Sequence, residues 1–101
     1  DENQIRSDIL KLNYLLKANN LTSLLVSEIP ESSRSYSKHE VEEYIVDTVI
    51  TLHYISLGAQ SGRNMIIRKM RGSDHSEDIH PIEFTKGKGI VVKSVEDELG
   101  R

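Results

Sequence analysis

The apolar block LTSLLVS at residues 21–27 constrains the fold more than any other stretch of this sequence. Apolar side chains fill the positions from Leu24 to Val26, which is typical of a strand buried on both faces, as in a parallel sheet. A helical pattern precedes this block over residues 3–19. A helix followed closely by a buried strand is the second half of a β-α-β unit. Because no strand precedes the helix, we expect this chain to be part of a longer polypeptide.

The remainder of the chain predicts a series of antiparallel strands. Residues 46–57 predict a long strand that is rich in β-branched and aromatic side chains, which would point alternately to its two faces. A turn at residues 58–62 leads into a returning strand over residues 63–71. A second turn, at Gly87 and Gly89, leads into a last short strand.

A short helix is predicted over residues 39–44, where Ser37 and Glu40 would form a capping box. No internal repeat interrupts the order of elements. The sequence therefore predicts an α/β fold with one long helix, a parallel-type core strand and then antiparallel strands. Residues 94–101 are expected to form a tail outside this domain.

The composition of the chain excludes several classes of protein. Its 101 residues include no cysteine, which excludes disulfide scaffolds, thiol nucleophiles and cysteine metal sites. No apolar run approaches the ~18 residues of a membrane span, so we expect no membrane partner. The 13 basic and 16 acidic residues leave a formal charge of −3, which creates no general attraction to nucleic acid. The polar start has no signal-peptide core, so we expect a cytoplasmic protein.

One cluster of basic residues stands out at residues 68–75, RKMRGSDH. On a regular strand Lys69 and Arg71 would share one face, with Arg68 and Met70 on the other. Arginine presents a planar fork of donors and lysine a point charge, and both bind phosphate oxygens. The alternative is a solvated edge strand, because edge strands often carry Lys and Arg to prevent further pairing.

Two further sets of polar residues are candidates for function. Ser27 and Glu28 end the predicted buried strand, where open α/β sheets place their ligands, although a solvated strand-end carboxylate is an equally good interpretation. His75 and His80 lie five residues apart without an evident third ligand, so we predict no metal site. The phosphate-loop motif GxxxxGK(S/T) is absent from these 101 residues, which therefore lack the usual means of holding ATP.

Three stretches of the sequence resemble the RecA-like ATPase domain of the KaiC family. They are Ser27-Glu28, the run VEEYIVD over residues 41–47, and KMRGSDH over residues 69–75 followed by Ile79-His80-Pro81. The resemblance implies that residues 1–93 are the C-terminal half of a RecA-like P-loop ATPase fold, without its phosphate-loop half. It further implies an ATPase, similar to RadA-like proteins of archaea, that forms a ring with copies of itself, commonly a hexamer. ATP, with Mg²⁺, would lie between neighbouring subunits.

The resemblance also implies roles for individual residues. One subunit of such a ring supplies the phosphate loop, and the next supplies a basic strand. Lys69 and Arg71 would therefore reach the terminal phosphate of the neighbour's ATP, in trans. The Met70 backbone, Ser73 and His75 would line the same nucleotide.

A last implied contact is Thr85, beside the base or ribose, although the family often has Asp where this chain has Lys86. The chain alone is not expected to hydrolyse ATP, whereas its parent would be an ATPase that phosphorylates proteins or signals to a protein partner. Two alternatives stay open. One is a non-catalytic nucleotide-binding or interaction module, and the other is a DNA-recombinase-like ATPase, although we expect no nucleic-acid partner.

Overall fold

The computed structural model describes residues 1–29, 37–39, 41–57 and 60–93, without the side chains of residues 55–57, 60 and 61. The chain divides into two compact units, Asp1–Asp47 and Thr48–Arg101. The predicted tail, residues 94–101, lies outside the described residues.

The predicted long helix is confirmed as α1, Glu2–Ala18. Asp1 caps its N-terminus, because the Asp1 side chain accepts a hydrogen bond from the Gln4 backbone N–H at 2.8 Å. Just after the helix, Asn20 has φ +59°, a left-handed conformation that asparagine tolerates better than most residues. Within the described residues, no helix is long and apolar enough to cross a membrane.

The strand predicted at residues 21–27 is wrong for this structure, since residues 21–29 form neither helix nor strand. Leu24 is 90% exposed and Val26 is 91% exposed. A strand forms only through hydrogen bonds to neighbouring strands, and an all-apolar strand needs cover on both faces. The strands that the structure describes pair with one another in a single antiparallel sheet. None of them provides a partner for this segment.

The predicted short helix is present as α2, Glu42–Ile45, and begins later than expected. Its N-cap residue, Val41, makes no capping bond through its side chain. The Ser37 hydroxyl donates to Glu43 Oε1 at 3.2 Å, and Glu40 lies outside the described residues. The predicted capping by Ser37 is therefore wrong, because Ser37 lies too far ahead of the first helical residue.

The second unit contains a four-stranded antiparallel sheet with the strand order β1-β2-β3-β4. The strands are β1 Thr48–Leu57, β2 Gln60–Met70, β3 His80–Thr85 and β4 Gly89–Val92. The predicted hairpin of two long strands is confirmed as β1 and β2. The turn predicted at residues 58–62 is too long, because residues 60–62 pair with β1 and belong to β2, and residues 58 and 59 lie outside the described residues.

Strand β3 is absent from the sequence-based prediction. Its second residue is Pro81, which has no N–H to donate and argues against a central strand. In the structure β3 nevertheless pairs with β2 on one side and β4 on the other. The Pro81 carbonyl also accepts a hydrogen bond from the Lys93 N–H at 2.9 Å. Pairing with a strand on each side therefore outweighs the local effect of Pro81, which disfavours a central strand.

The two faces of the sheet differ in chemistry. Directly paired residues lie on the same face of the sheet, so the pairing register shows which residues belong to each face. The Thr51 face is mixed, with the polar and charged residues Thr51, His53, Asn64, Glu83 and Thr85 beside the apolar residues Val49, Ile66, Pro81 and Val91. The Tyr54 face is more apolar and carries Ile50, Leu52, Tyr54, Arg63, Met65, Ile67, His80, Ile82, Phe84, Ile90 and Val92. Most apolar side chains of the Tyr54 face are exposed, and Ile82, at 6%, is the one buried apolar residue among those described.

Candidate functional site

The basic cluster lies at the end of β2 and in the turn that follows. Lys69 and Met70 are the last two residues of β2, whereas Arg71 already lies in the turn. The Ser73 N–H donates to the Met70 carbonyl at 3.1 Å and closes this turn. Gly72 has φ +78°, which glycine adopts without steric cost. Arg71 is therefore an exposed turn residue, outside the alternation of the strand.

The predicted alternation of the basic cluster is wrong, because β2 contains a β-bulge. Val49 pairs with Lys69, but the next residue of β1 pairs with Ile67, which leaves Arg68 as an extra residue. Pairing with Val49 places Lys69 on the Thr51 face. The Arg68 side chain reaches the same face, since its Nε donates to Thr51 Oγ1 at 3.1 Å. Arg68 and Lys69 therefore share one face.

Thr85 lies on the Thr51 face as well, half-buried at the end of β3. Strand β3 runs antiparallel to β2, with His80 opposite Met65. Thr85 consequently lies towards the start of β2, whereas Lys69 lies at its end. The Lys88 N–H donates to the Thr85 carbonyl at 3.0 Å and closes the turn to β4. Lys69 and Thr85 thus share a face and lie at opposite ends of the sheet.

Two candidate histidines, His75 in the loop after β2 and His80 at the start of β3, both contact Ser76. His75 Nδ1 lies 2.9 Å from the Ser76 carbonyl. His80 Nδ1 donates to the Lys93 carbonyl at 3.1 Å, because a carbonyl can only accept. His80 Nε2 therefore accepts from the Ser76 hydroxyl at 2.8 Å. In the part of the chain that the structure describes, no three potential metal ligands are grouped together.

Ser27 makes a local contact within the first unit. Its hydroxyl donates to Glu42 Oε2 at 2.6 Å and accepts from the Lys38 N–H at 2.9 Å. Glu28 is exposed and makes no hydrogen bond with the described residues. With no strand at residues 21–27, neither residue ends a strand, and the argument that placed them beside a ligand does not apply.

Replacement of Ser27 by alanine is expected to raise the pKa of the Glu42 carboxyl. Partial burial raises that pKa, but hydrogen bonds from the Ser27 hydroxyl and from backbone N–H groups outweigh burial and hold it below the ordinary 4.5. A lowered pKa adds stability that is present above the unfolded-state pKa and is lost as the pH falls through the folded-state pKa. Ser27→Ala should therefore weaken the acid dependence of stability below about pH 4.5.

An NMR titration of the Glu42 carboxyl carbon measures this change directly. Ser73→Ala, which lies in the second unit, is the control and should leave the Glu42 midpoint unchanged. An identical Glu42 midpoint in the Ser27→Ala variant and the unaltered chain would contradict the expectation.

Sequence reasoning did not single out Thr51 and His53 as candidates. Their alternation along β1 is visible in the sequence and places both on one face. Their contact with Arg68 depends on the bulge, and the local sequence carries no glycine or other marker that would have predicted it.

Comparison with known proteins identifies the family of this chain. The profile of the family described as "ATPase: KaiC" matches residues 1–97. A UPF0273 protein of Thermotoga maritima is 36% identical over 96 residues, which are 95% of this chain and 39% of that protein. The chain therefore belongs to the KaiC ATPase family, within the RecA superfamily, and the resemblance found in the sequence is confirmed.

Two further comparisons agree with this assignment. The crystal structure of a KaiC-like protein from Pyrococcus horikoshii matches with a TM-score of 0.81 and 35% identity, over 93% of this chain and 42% of that one. The circadian clock protein KaiC3 of Synechocystis sp. is 30% identical over 92 residues, 91% of this chain and 18% of that protein. The chain thus spans less than half the length of each of these relatives.

Proposed function

We propose that this chain supplies the basic strand of an ATP site shared between subunits of a KaiC-family ring. The observation that supports this function best is the position of Lys69 at the end of β2 and of Arg71 in the turn that follows, two residues apart in the chain. A lysine and an arginine at that spacing can both donate to the oxygens of one polyphosphate. In this proposal Lys69 and Arg71 contact the terminal phosphate, and the contact of Thr85 with the base or ribose is carried over from the resemblance to the family.

The residues of the turn complete the proposed contact surface. Met70 contributes its backbone, Ser73 a hydroxyl and His75 an imidazole, all within six residues of Lys69. Cations at this position stabilise the negative charge that develops on the phosphoryl group during transfer, which is where electrostatic catalysis is most effective.

The phosphate loop of the proposed site lies outside these 101 residues. The absence of GxxxxGK(S/T) supports this placement, as does the 42% coverage of the KaiC-like crystal structure. The chain would then form the C-terminal half of a RecA-like P-loop domain. The ATP that it contacts would be bound by the phosphate loop of a neighbouring copy, in a ring that is commonly hexameric in this family.

ATP is the cofactor that the chemistry of the basic cluster fits. A lysine at the end of a strand and an arginine in the turn that follows suit a polyphosphate. The described residues offer no group of three acidic or histidine side chains for Mg²⁺, so any ligands of Mg²⁺ are assigned to the subunit with the phosphate loop. This chain therefore contributes charge to the shared site.

A mixing experiment tests whether the basic strand acts in trans. Two inactive KaiC-family polypeptides that carry this chain are prepared, one with Arg71→Ala and one without its phosphate-loop lysine. Mixed rings contain some interfaces with both groups intact, so part of the ATP turnover should return on mixing. Mixed rings that form but never recover turnover would contradict the proposal.

The same preparations separate the two alternative functions. ATP binding without turnover in the unaltered ring would favour a non-catalytic nucleotide-binding module. Turnover that rises strongly on addition of DNA would favour a recombinase-like ATPase.

The 101-residue chain by itself is expected to bind ATP only weakly. A phosphate loop supplies most of the backbone donors that hold the phosphates, and this chain contains none. Isothermal titration should give a dissociation constant well above about 1 μM, a value that corresponds to about 8 kcal/mol of binding free energy. Micromolar binding of ATP to this chain would contradict the expectation.

A further inference from the structure

We propose that Arg68 is a further phosphate-binding residue of the shared ATP site, and that Thr51 and His53 are positioning residues for its guanidinium. Arg68 would act beside Lys69 and Arg71, so this assignment rests on the proposed function. Regular alternation would have placed Arg68 on the face opposite Lys69. The bulge brings both onto the Thr51 face.

Contacts with two side chains orient the Arg68 guanidinium. Its Nε donates to Thr51 Oγ1 at 3.1 Å, and its Nη2 lies 3.4 Å from His53 Nε2. His53 Nε2 also lies 2.9 Å from Thr51 Oγ1, so the three side chains form one cluster. Because a guanidinium can only donate, His53 accepts through Nε2 in the tautomer that carries its proton on Nδ1.

Thr51 is the anchor of this cluster. It is 3% exposed, and its hydroxyl also lies 3.5 Å from the Ile66 carbonyl. Arg68, in contrast, is exposed to solvent. An arginine that is already held in one orientation loses less side-chain entropy when a ligand binds. The buried hydroxyl therefore prepares an exposed cation for an anionic ligand.

The bulge also concentrates positive charge on the Thr51 face. Strands β1 and β2 contain no Asp or Glu, and their Lys and Arg residues are Arg63, Arg68 and Lys69. The acidic residue that β3 places on the Thr51 face, Glu83, accepts from Lys93 at 2.6 Å. Arg63 lies on the Tyr54 face, with its guanidinium 4.5 Å from the centre of the Phe84 ring. Arg68 and Lys69 remain as neighbouring cations on the Thr51 face. Two adjacent cations suit a polyphosphate, whose many oxygens can accept from both.

Titration of the 101-residue chain with inorganic tripolyphosphate tests the assignment. The NMR signal of the Arg68 Nε–H should shift as tripolyphosphate is added. Arg68→Gln should lower the affinity about tenfold, because hydrogen bonds to charged groups are lost. Arg63→Gln is the matched control, since it removes the same charge from the same strand on the other face. Its affinity should change less than about twofold at physiological salt.

A double-mutant cycle tests the positioning role of Thr51. Thr51→Val should lower tripolyphosphate affinity about three- to tenfold when Arg68 is present, because the hydroxyl that accepts from Nε is lost. It should have no further effect in the Arg68→Gln background. Thr51→Ser keeps the hydroxyl and should restore the affinity. Equal losses from Thr51→Val in both backgrounds would show that Thr51 acts only through general stability and would overturn the positioning role.

The outcomes distinguish this assignment from the proposed function. Equal affinities of Arg68→Gln and Arg63→Gln would overturn the role of Arg68. If Lys69→Gln still lowered the affinity about tenfold in that case, the proposed function would stand without Arg68. If Arg68→Gln lowered the affinity and Lys69→Gln did not, Arg68 would stand as an anion-binding residue and the proposed role of Lys69 would fail.

Discussion

Replacement of Arg71 by alanine is expected to lower ATP turnover about 10³-fold in a KaiC-family polypeptide that carries this chain together with a phosphate loop. The guanidinium contributes most when charge develops on the transferred phosphoryl group, so kcat should fall far more than KM rises. Steady-state release of phosphate measures both constants. The fold of the subunit should survive, because Arg71 is exposed in a turn and surface charges contribute little to stability.

Arg63→Ala is the control for this prediction. Arg63 stacks over Phe84 on the Tyr54 face, away from the face that carries Lys69. Its replacement removes the same charge, and turnover should stay within about twofold of the unaltered protein, because distant surface charges are screened by salt. Arg68 is unsuitable as a control, because the bulge places it beside Lys69. If Arg71→Ala retained full turnover, the placement of the site at the end of β2 would be wrong.

Ile82→Ala is expected to destabilise the second unit by about 2–5 kcal/mol. Ile82 is 6% exposed, in the middle of β3, and is the one buried apolar residue among those that the structure describes. Its direct partners in the sheet are Arg63 on β2 and Val92 on β4. Truncation removes buried methyl groups and leaves a cavity between the neighbouring strands. The midpoint of urea unfolding, followed by circular dichroism, measures the loss.

Ile90→Ala is the matched control on the same face of the sheet. Ile90 is 59% exposed, so its truncation removes little buried surface and should cost less than about 1 kcal/mol. Similar shifts of the midpoint for Ile82→Ala and Ile90→Ala would show that Ile82 is not the packing centre of this sheet.

The candidate site could be predicted from the sequence in part. Lys69, Arg71 and Ser73 lie within five consecutive residues, so their proximity at the end of β2 follows directly from the sequence. The faces of Arg68 and Lys69 could not be predicted, because strict alternation fails wherever a strand contains an extra residue. The position of Thr85 depended on recognising β3, whose proline argued against a strand.

The sequence by itself determined α1 and the β1–β2 hairpin. Both arise from signals between residues close in the chain: the Asp1 cap and helical period of α1, and the alternation of β-branched residues in β1. Only the tertiary structure decided whether residues 21–27 form a strand, how β3 pairs and where the bulge at Arg68 lies. Each of these depends on which strand lies alongside, because backbone hydrogen bonds between strands join residues that are distant in the sequence. The apolar run at residues 21–27 shows the rule, since its pattern favours a strand and the described sheet offers it no partner.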